Sequence, residues 1–544
     1  MKLRIFVFFL VFVYSGILNA QFLSKIQLKH HFNEAKRAIV FNNYKKAIIE
    51  IDFLLKKDSL NANFNYLMGL SYLHMPMQKN KALPYLQIAS NSITDHWQEL
   101  NFKEKNAPFK TYFLLGEVQH YLYKFDVAEN FYAKYLEYLK PDETEYKETK
   151  RMMEICQQAP ALINDSIEIS IENLGPIINS EYDEHSPTLT SDETTLIFTS
   201  RRIGSTGGMK TDDGRYFEDI YISHKIDDKW GTPEKISPNI NTDMHESSIC
   251  VSADGQELYI YKDDFGIGNI YQSIKDSTGI WSKPIKLEPQ ISSSSNETHA
   301  TISADKNILI FVSDRSGGMG GKDLYMSQRL PNGEWSLAKN LGPVINSPYD
   351  EEGPFLLPDG YTLYFSSKGH NTIGGYDLFY SELNEDGTWS KPKNLGYPIN
   401  TTEDEVFYHL TADEKRAYFS SIREDSYGGK DIYVMNLLSL PERSSSVIKG
   451  KVFFENNDTV PVKDILIKVI DNKTGKLMGQ YKPNRETGYY VMILKQNRDY
   501  TIICENKEYE FSPKVFHVPQ NSSLFEIEKP LVLEPLGKIM PKSE

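Results

Sequence analysis

Cysteine is scarce in this chain of 544 residues, which contains only Cys156, Cys250 and Cys504. These fall in three different predicted domains and match no metal-binding spacing, so the sequence indicates neither a disulfide framework nor a metal site. Motifs of zinc peptidases, serine hydrolases and phosphate-binding loops are absent from the sequence as well. From these absences we expect no catalytic residue, no metal and no cofactor, and we predict that the chain is not an enzyme.

Basic residues are in deficit, with 60 Lys and Arg against 74 Asp and Glu, a formal net charge of −14. The sequence has no basic stripe, and contacts between basic side chains and phosphates carry much of the affinity for nucleic acids. We therefore expect no nucleic-acid partner.

A long apolar run occurs only at the start of the sequence, at residues 5–18, between the basic residues Lys2 and Arg4 and the small residue Ala20. This arrangement is typical of a secretory signal peptide, and we predict one at residues 1–20. The alternative is an uncleaved anchor, although a run of about 14 residues is shorter than the roughly 20 that span a bilayer. Removal of the signal leaves 58 basic and 74 acidic residues, a net charge of −16.

Tryptophan recurs at a regular interval, since Trp230, Trp281, Trp335 and Trp389 follow one another after 51, 54 and 54 residues. Each interval contains four strand-like runs separated by turn residues. A repeat of this length with four strands is typical of a β-propeller blade. Two further sets share the interval: the hairpin residues Asp192, Asp254, Asp305, Asp359 and Asp413, and the polar residues Asp219, Asn269, Asp323, Asp377 and Asp431.

The number of blades follows from a second repeated segment. NLGPVINS at 340–347 recurs at 173–180 and 394–401, with weaker copies at 235–242 and 286–293, which makes five copies. The last unit lacks an outer strand, and residues 166–174, ahead of the first unit, can supply it. Because such a strand removes the unpaired edges of an open ring, we predict a closed five-bladed propeller over residues 164–440.

The repeats resemble those of the TolB-type propeller family. The resemblance rests on segments such as LLPDGYTLYFSSKGHNTIGGYDLFY at 356–380 and WSKPKNL at 389–395, and it covers about half of the chain. It implies the fold, while function depends on sites added to the fold.

Residues 21–160 are helix-like. Ala35 and Gly69 are 34 residues apart, which is the tetratricopeptide period, and LLGEVQHY at 114–121 and AENFYAKYLEYLKPD at 128–142 resemble the two helices of that repeat. We predict three such repeats and a capping helix, with a generic helical bundle as the alternative.

Residues 446–536 are strand-like, with apolar residues alternating at Ile465, Ile467 and Val469. Their order of motifs resembles the regulatory-like β-sandwich appended to carboxypeptidases, which implies a small domain without catalysis of its own. A tail follows at 537–544. The predicted fold class is thus multidomain: an all-α tetratricopeptide solenoid, then an all-β five-bladed propeller, then a small β-sandwich.

A glutamate stands eight residues before each hairpin Asp. This stretch joins the outer strand of one blade to the inner strand of the next, so we predict a ring of five carboxylates at one mouth of the channel. Two interpretations stay open: the carboxylates accept backbone N–H bonds and hold the blades together, or they bind a cation or a basic group of a ligand. The five residues are Glu184, Glu246, Glu297, Glu351 and Glu405.

Glycine-rich loops at 317–321, 374–375 and 428–429 are similarly ambiguous between tight turns and a phosphate or glycan role. Arg202, Arg315 and Arg423 stand beside loops of this kind, and we expect them along one rim of the ring.

The order of the three segments behind a signal peptide resembles the OmpA-like envelope proteins that include the peptidoglycan-anchoring component of the type IX secretion system. The family's peptidoglycan-binding module has no counterpart after VLEPLGKIMPKSE, so we expect no direct peptidoglycan binding. The resemblance implies a periplasmic scaffold, peripheral to the outer membrane, that docks envelope proteins through its helical groove and propeller faces. The alternative is a propeller that binds glycans or peptides for nutrient capture.

Overall fold

The computed structural model describes most of the chain between residues 25 and 538. The described ranges are 25–190, 193–253, 255–264, 266–276, 278–304, 306–357, 360–384, 386–411, 415–437, 445–454, 457–461, 465–475, 477–484, 488–506, 509–519, 527–528, 530–533 and 535–538. The predicted signal peptide and the hairpin residues Asp192, Asp254, Asp305, Asp359 and Asp413 lie outside these ranges.

The chain divides into two compact units, residues 1–160 with 210–215, and residues 161–209 with 216–544. No helix among the described residues is long and apolar enough to cross a membrane. The predicted domain boundaries stay predictions.

From residue 25 on, where the structure describes it, the first unit contains seven α-helices. Asn43 and Asn61 cap two of them by accepting hydrogen bonds from backbone N–H groups three residues on. Small residues stand where paired helices approach closely: a Cβ on Gly69 would clash with Leu86, and one on Gly116 would clash with Tyr132. The helices are α1 (25–40), α2 (Tyr44–Leu55), α3 (Ala62–Leu73), α4 (Ala82–Ala89), α5 (Lys110–Tyr121), α6 (Phe125–Leu136) and α7 (Thr144–Asn164).

The predicted fold class was wrong. The chain is mostly β, with 35% of it in strands and 21% in seven short helices, and no sizeable all-α tetratricopeptide solenoid is shown. A solenoid needs successive helix pairs to stack at a constant period. Here the nonhelical residues 90–109, joined by a bridge between Ile93 and Ala107, separate α4 from α5. The 34-residue spacing between Ala35 and Gly69 therefore does not continue.

Five antiparallel sheets form the blades of the propeller. Blade one is β2 (Glu184–Leu189), β3 (Thr195–Ser200), β4 (Asp219–Ile226), β5 (Lys229–Trp230) and β6 (Glu234–Lys235); blade two is β7 (Glu246–Val251), β8 (Glu257–Asp263), β9 (Gly268–Ile274) and β10 (Ile285–Lys286); blade three is β11 (Glu297–Ile302), β12 (Ile308–Ser313), β13 (Asp323–Gln328) and β14 (Lys339–Asn340). Blade four is β15 (Glu351–Leu356), β16 (Thr362–Ser367), β17 (Asp377–Glu382) and β18 (Lys393–Asn394); blade five is β19 (Val406–Leu410), β20 (Arg416–Ser421), β21 (Asp431–Asn436) and β1 (Ser170–Asn173).

The ring closes as predicted from the repeat count. The inner strands contact one another in the cyclic order β2, β7, β11, β15, β19 and back to β2. β1 pairs antiparallel with β21, Ser170 opposite Asn436 and Asn173 opposite Tyr433. The predicted outer strand, borrowed from ahead of the first blade, is therefore confirmed.

Every inner strand carries a bulge near its start. The register shifts after His185, Ser248, Glu297, Glu352 and Val406. The bulge forces a positive φ at Ser186 (52°), Gly353 (55°) and Phe407 (61°). Bulges bend a strand and re-aim its side chains, and these five lie together at one end of the ring.

The C-terminal strands form two further sheets around one core. The first consists of β22 (Ser445–Phe454), β23 (Asn457–Pro461), β26 (Tyr489–Lys495), β30 (Ile527–Glu528) and β31 (Leu531–Leu533). The second consists of β24 (Leu466–Asp471), β25 (Leu477–Tyr481), β27 (Arg498–Glu505), β28 (Tyr509–Phe511), β29 (Lys514–Val518) and β32 (Pro535–Lys538). Ala253 and Ala304, from hairpins of blades two and three, pack against the core between these sheets.

Candidate binding site at the propeller mouth

The five predicted ring glutamates are all fully buried. Glu297 shows their common arrangement: it accepts hydrogen bonds from the Ser293 backbone N–H (2.9 Å), the Ser293 hydroxyl (2.7 Å) and the Ser313 hydroxyl (2.8 Å). Residues four positions before each of the other glutamates donate in the same way, through both the backbone N–H and the hydroxyl. These donors are Ser180, Thr242, Ser347 and Thr401.

A cation accompanies four of the five glutamates. Arg202 lies 3.2 Å from Glu184, Lys262 lies 2.9 Å from Glu246, Arg315 lies 3.1 Å from Glu297 and Arg423 lies 4.0 Å from Glu405. The three arginines predicted on a rim therefore pair with carboxylates inside the ring.

Blade four differs, because no ion pair among the described residues reaches Glu351. His370 replaces the arginine in one contact, because its Nε2 lies 2.9 Å from the Ile345 carbonyl oxygen. Arg315 and Arg423 donate to the equivalent Ile291 and Ile399 carbonyls in their blades. Burial raises the pKa of Glu351 to about 7.

The structure thus places the ring glutamates in hydrogen-bonded positions between blades, with no exposed surface. It brings them to one end of the propeller but not into one cluster. Binding of a ligand by these five carboxylates stays a prediction.

The glycine-rich loops lie where neighbouring blades approach. A Cβ on Gly320, Gly374 or Gly428 would clash with the backbone of the segment that leads into the next blade. The geometry therefore gives these glycines an interface role, for which a residue without a side chain is required.

The five copies diverge at the positions next to this shared framework. The residue after each ring glutamate is His185, Ser247, Thr298, Glu352 or Val406, and the one after that is Ser186, Ser248, His299, Gly353 or Phe407. The residue before the first polar residue of the third strand is Glu218, Gly268, Lys322, Tyr376 or Lys430. Several of these side chains, together with His245 ahead of Glu246, meet in what we term the mouth cluster, which consists of His185, Glu218, His245, His299, Lys322, Glu352 and Phe407.

Glu218 is the centre of one half of the mouth cluster. His185 Nε2 lies 3.5 Å from its carboxylate and His245 Nδ1 lies 3.6 Å from it. Although burial opposes ionisation, the two histidines beside the carboxylate hold the pKa of Glu218 well below its usual value.

Glu352 is the centre of the other half. His299 Nδ1 lies 2.8 Å from its carboxylate, Lys322 forms an ion pair with it, and the Thr298 hydroxyl donates to it at 3.0 Å. Burial again opposes ionisation, yet His299 and Lys322 hold the pKa of Glu352 far below its usual value.

Phe407 and Ser186 join the two halves. The Phe407 ring centroid lies 4.3 Å from that of His299 and 5.7 Å from that of His185. The Ser186 hydroxyl lies 3.0 Å from His185 Nδ1 and 3.5 Å from His299 Nε2. Ser186 and Phe407 both occupy bulges with a positive φ. The strained backbone therefore places these two side chains between the halves of the cluster.

This arrangement suits hydrogen bonding to a ligand. The two ionised carboxylates accept, and the lysine and imidazoles donate, around an aromatic face. A carboxyl group that acts as a general acid needs a raised pKa, whereas Glu218 and Glu352 have lowered ones. No group of three or more His, Cys, Asp or Glu side chains in the described part of the chain could hold a metal ion.

The sequence prediction chose the repeated glutamates and missed the mouth cluster, which begins one residue later. In blades one and four the residue directly after the glutamate, His185 or Glu352, joins the cluster, whereas in blades three and five it is the second residue, His299 or Phe407, because the bulge disturbs the alternation of side chains. Divergence among the five copies at these positions was the available signal.

Two cavities lie on the axis beyond the mouth cluster. The nearer one, of about 20 Å³, is lined by Ser186, His299 and Phe407 among others. The farther one, of about 60 Å³, shares Phe355 and His409 with it. The mouth therefore leads into a narrow interior.

No protein-family model matches the chain, and no curated protein matches it. Solved structures that it resembles include TolB from Acinetobacter baumannii (16% identity, 55% of this chain and 72% of that chain, TM-score 0.29) and a putative TolB from Agrobacterium tumefaciens (14%, 60% and 97%, TM-score 0.30). The catalytic domain of a GH62 α-L-arabinofuranosidase from Coprinopsis cinerea also matches (12%, 50% and 97%, TM-score 0.35).

At these TM-scores the matches carry no argument about the fold or the function. The pairing and the cyclic order of the strands by themselves define a five-bladed propeller. The resemblances to tetratricopeptide repeats, to the carboxypeptidase sandwich and to the type IX secretion component are not confirmed.

The prediction that the chain is not an enzyme was wrong, because it excluded catalysis. Its reason was the absence of familiar catalytic motifs, but structures similar to this chain include propeller enzymes such as the arabinofuranosidases. A propeller can carry catalytic and binding sites alike, so neither the motif search nor the fold excludes catalysis.

Proposed function

We propose that the chain is an exported cell-envelope protein that binds protein partners through the mouth of its propeller. In this proposal it is a periplasmic scaffold, peripheral to the outer membrane, that also docks envelope proteins through its helical unit. It serves as an accessory of a type IX secretion or gliding apparatus.

The observation that carries the proposal is the divergence of the mouth within a repeating ring. Buried positions such as Glu297 and Glu351 recur in all five copies, because they hold the blades together. The adjoining positions vary among the copies and assemble His299, Lys322 and Glu352 beside an aromatic ring. The variation at the mouth brings charged and aromatic side chains from different blades together, which indicates a binding surface.

The sequence resemblance to OmpA-like envelope proteins supports the cellular setting. The signal peptide predicted at residues 1–20 would deliver the chain to the periplasm. Binding of glycans or peptides for nutrient capture is the alternative, and it differs from the proposal in the partner that occupies the mouth.

The proposal is tested by capture of partners from envelope extracts with the tagged full chain after mild crosslinking. The wild type is compared with a double variant, Lys322→Met with Glu352→Gln, which removes both charges of one ion pair together. We expect secretion or outer-membrane proteins to be captured by the wild type and to fall by about tenfold or more in the variant, since charge-assisted hydrogen bonds are lost.

A matched control is His517→Gln, which breaks the exposed pair between His517 and Asp499, 2.8 Å apart, in the C-terminal sheets. It should capture the same proteins as the wild type. Equal capture by the double variant would contradict docking at the mouth. Binding to a glycan array without capture of envelope proteins would favour the alternative.

A further inference from the structure

The farther axial cavity is surrounded by an aliphatic ring. Each blade contributes the last residue of its inner strand, and all five are almost completely buried. These residues are Leu189, Val251, Ile302, Leu356 and Leu410. The cavity of about 60 Å³ has room for roughly four to six water-sized groups, which is the size of a leucine or isoleucine side chain.

The cavity ends at the hairpins of blades two and three. Ala253 and Ala304 line it, and both pack against the core of the C-terminal sheets. The path along the axis is therefore covered at this end, while its other end leads through the nearer cavity to the mouth cluster.

His409 stands between the two cavities and lines both. Its ring lies 4.5 Å from that of Phe355, and burial lowers its pKa to about 3. The imidazole is therefore neutral at physiological pH. An apolar lining with a neutral polar group does not compensate a buried charge, so a charged occupant is disfavoured.

We propose that this cavity receives one aliphatic side chain, of the size of leucine or isoleucine, from a peptide segment held across the mouth cluster. The inference rests on the proposed function and names the chemistry of the partner. Glu218 and Glu352 accept hydrogen bonds from the backbone N–H groups of the segment, and Lys322 and the histidines donate to its carbonyl oxygens. The aliphatic ring around the cavity then selects a single side chain by its volume.

Capped tripeptides test the proposal with the full chain. Acetyl-Gly-Xaa-Gly-amide probes carry Leu, Ala or Asp at the central position, and ligand-observed NMR measures their binding. We expect the Leu peptide to bind at least about tenfold more tightly than the Ala peptide, since three buried carbon atoms are added, and the Asp peptide not to bind. Free leucine should compete poorly, and equal binding by free leucine would show a small-molecule site instead.

Cys250, which lines both cavities, provides the variant. Cys250→Phe fills the space and should abolish binding of the Leu peptide, whereas Leu337→Phe, at a residue 82% exposed on blade three, should leave it unchanged. Equal binding of the Leu and Ala peptides, or binding that survives Cys250→Phe, would overturn the proposal. Capture of envelope proteins that depends on Lys322 and Glu352 but not on Cys250 would overturn it while the proposed function stands.

A second measurement requires no variant and guards against misfolding of Cys250→Phe. A small methanethiosulfonate reagent modifies the wild-type chain with and without the Leu peptide, and mass spectrometry follows each cysteine. Cys156 and Cys504 are also buried but lie outside the propeller, so they are internal controls. Modification of Cys250 alone should slow with the peptide, and an unchanged rate at Cys250 would contradict occupation of the cavity.

Discussion

At the scale of single residues, the repeat offers a comparison between two glutamates in equivalent places. Glu297 is paired with Arg315 at 3.1 Å, whereas the donors to Glu351 among the described residues are hydroxyl and backbone groups. In Glu351→Gln, the amide oxygen can accept from the Ser347 N–H and the amide nitrogen can donate to the hydroxyls of Ser347 and Ser367. In Glu297→Gln, the amide nitrogen would face the Arg315 guanidinium, a second donor.

We predict that Glu351→Gln stabilises the protein at pH 8 and Glu297→Gln destabilises it. The folded-state pKa of Glu351, about 7, lies above the value in the unfolded chain, so its contribution to stability falls as the pH rises through that interval. The gain at pH 8 is at most about 3 kcal/mol, and it should shrink to about 1 kcal/mol at pH 5, where Glu351 is protonated in the folded state. Glu297→Gln should cost roughly 1–3 kcal/mol. Urea unfolding at both pH values measures the difference, and equal effects of the two variants would refute this account.

At the scale of secondary-structure elements, closure of the ring depends on the four residues of β1. The Leu174 N–H donates to the Ile432 carbonyl at 3.2 Å, and the register makes Glu172 the next residue whose N–H faces β21. The Glu172 side chain is exposed. Its backbone can therefore be tested apart from its side chain.

We predict that Glu172→Pro opens blade five, because proline has no N–H and cannot donate to the ladder. The free energy of unfolding should fall by roughly 1–3 kcal/mol, with faster proteolysis or new oligomers through the exposed edge. Glu172→Ala keeps the ladder and should behave like the wild type. If the proline variant remains monomeric with an unchanged melting temperature, β1 is not what seals the ring.

At the scale of the whole molecule, buried carboxyl groups of two kinds set the pH dependence of stability. Burial, with the nearby Glu405 carboxylate, raises the pKa of Asp377 to about 8, and burial raises that of Glu405 to about 7 and that of Asp431 to about 6. Their contribution to stability is lost as the pH rises from about 4 towards 8. Glu218 and Glu352 have lowered pKa values, so their contribution is lost as the pH falls below about 4.

We therefore predict a maximum of stability at mildly acidic pH, near 5, with a decline on both sides. Melting temperatures of the full chain between pH 3.5 and 9, at constant ionic strength, measure the curve. A melting temperature that rises steadily from pH 5 to 9 would contradict this prediction. It would show that neighbouring groups stabilise the charges of the buried carboxylates more strongly than the raised pKa values indicate.

Much of the propeller could be predicted from the sequence because its signals are local. The interval between Trp281 and Trp335, the turn residues and the alternation of strands repeat in every blade, and a strand is determined largely by its own residues and its neighbours in the sheet. The helical unit was harder, since a 34-residue spacing between Ala35 and Gly69 does not require a stack of repeats. The nonhelical segment 90–109 interrupts the 34-residue period.

The sequence by itself determined the five blades and the borrowed strand, since both follow from counting copies of one unit. Only the tertiary structure decided that Glu351 and its four equivalents are buried and that His299, Glu352 and Phe407 meet beside the axis. The reason is that a bulge in each inner strand, not the order of residues, sets which side chains reach the channel. Side chains from different blades are far apart in the chain and meet only when the ring has closed.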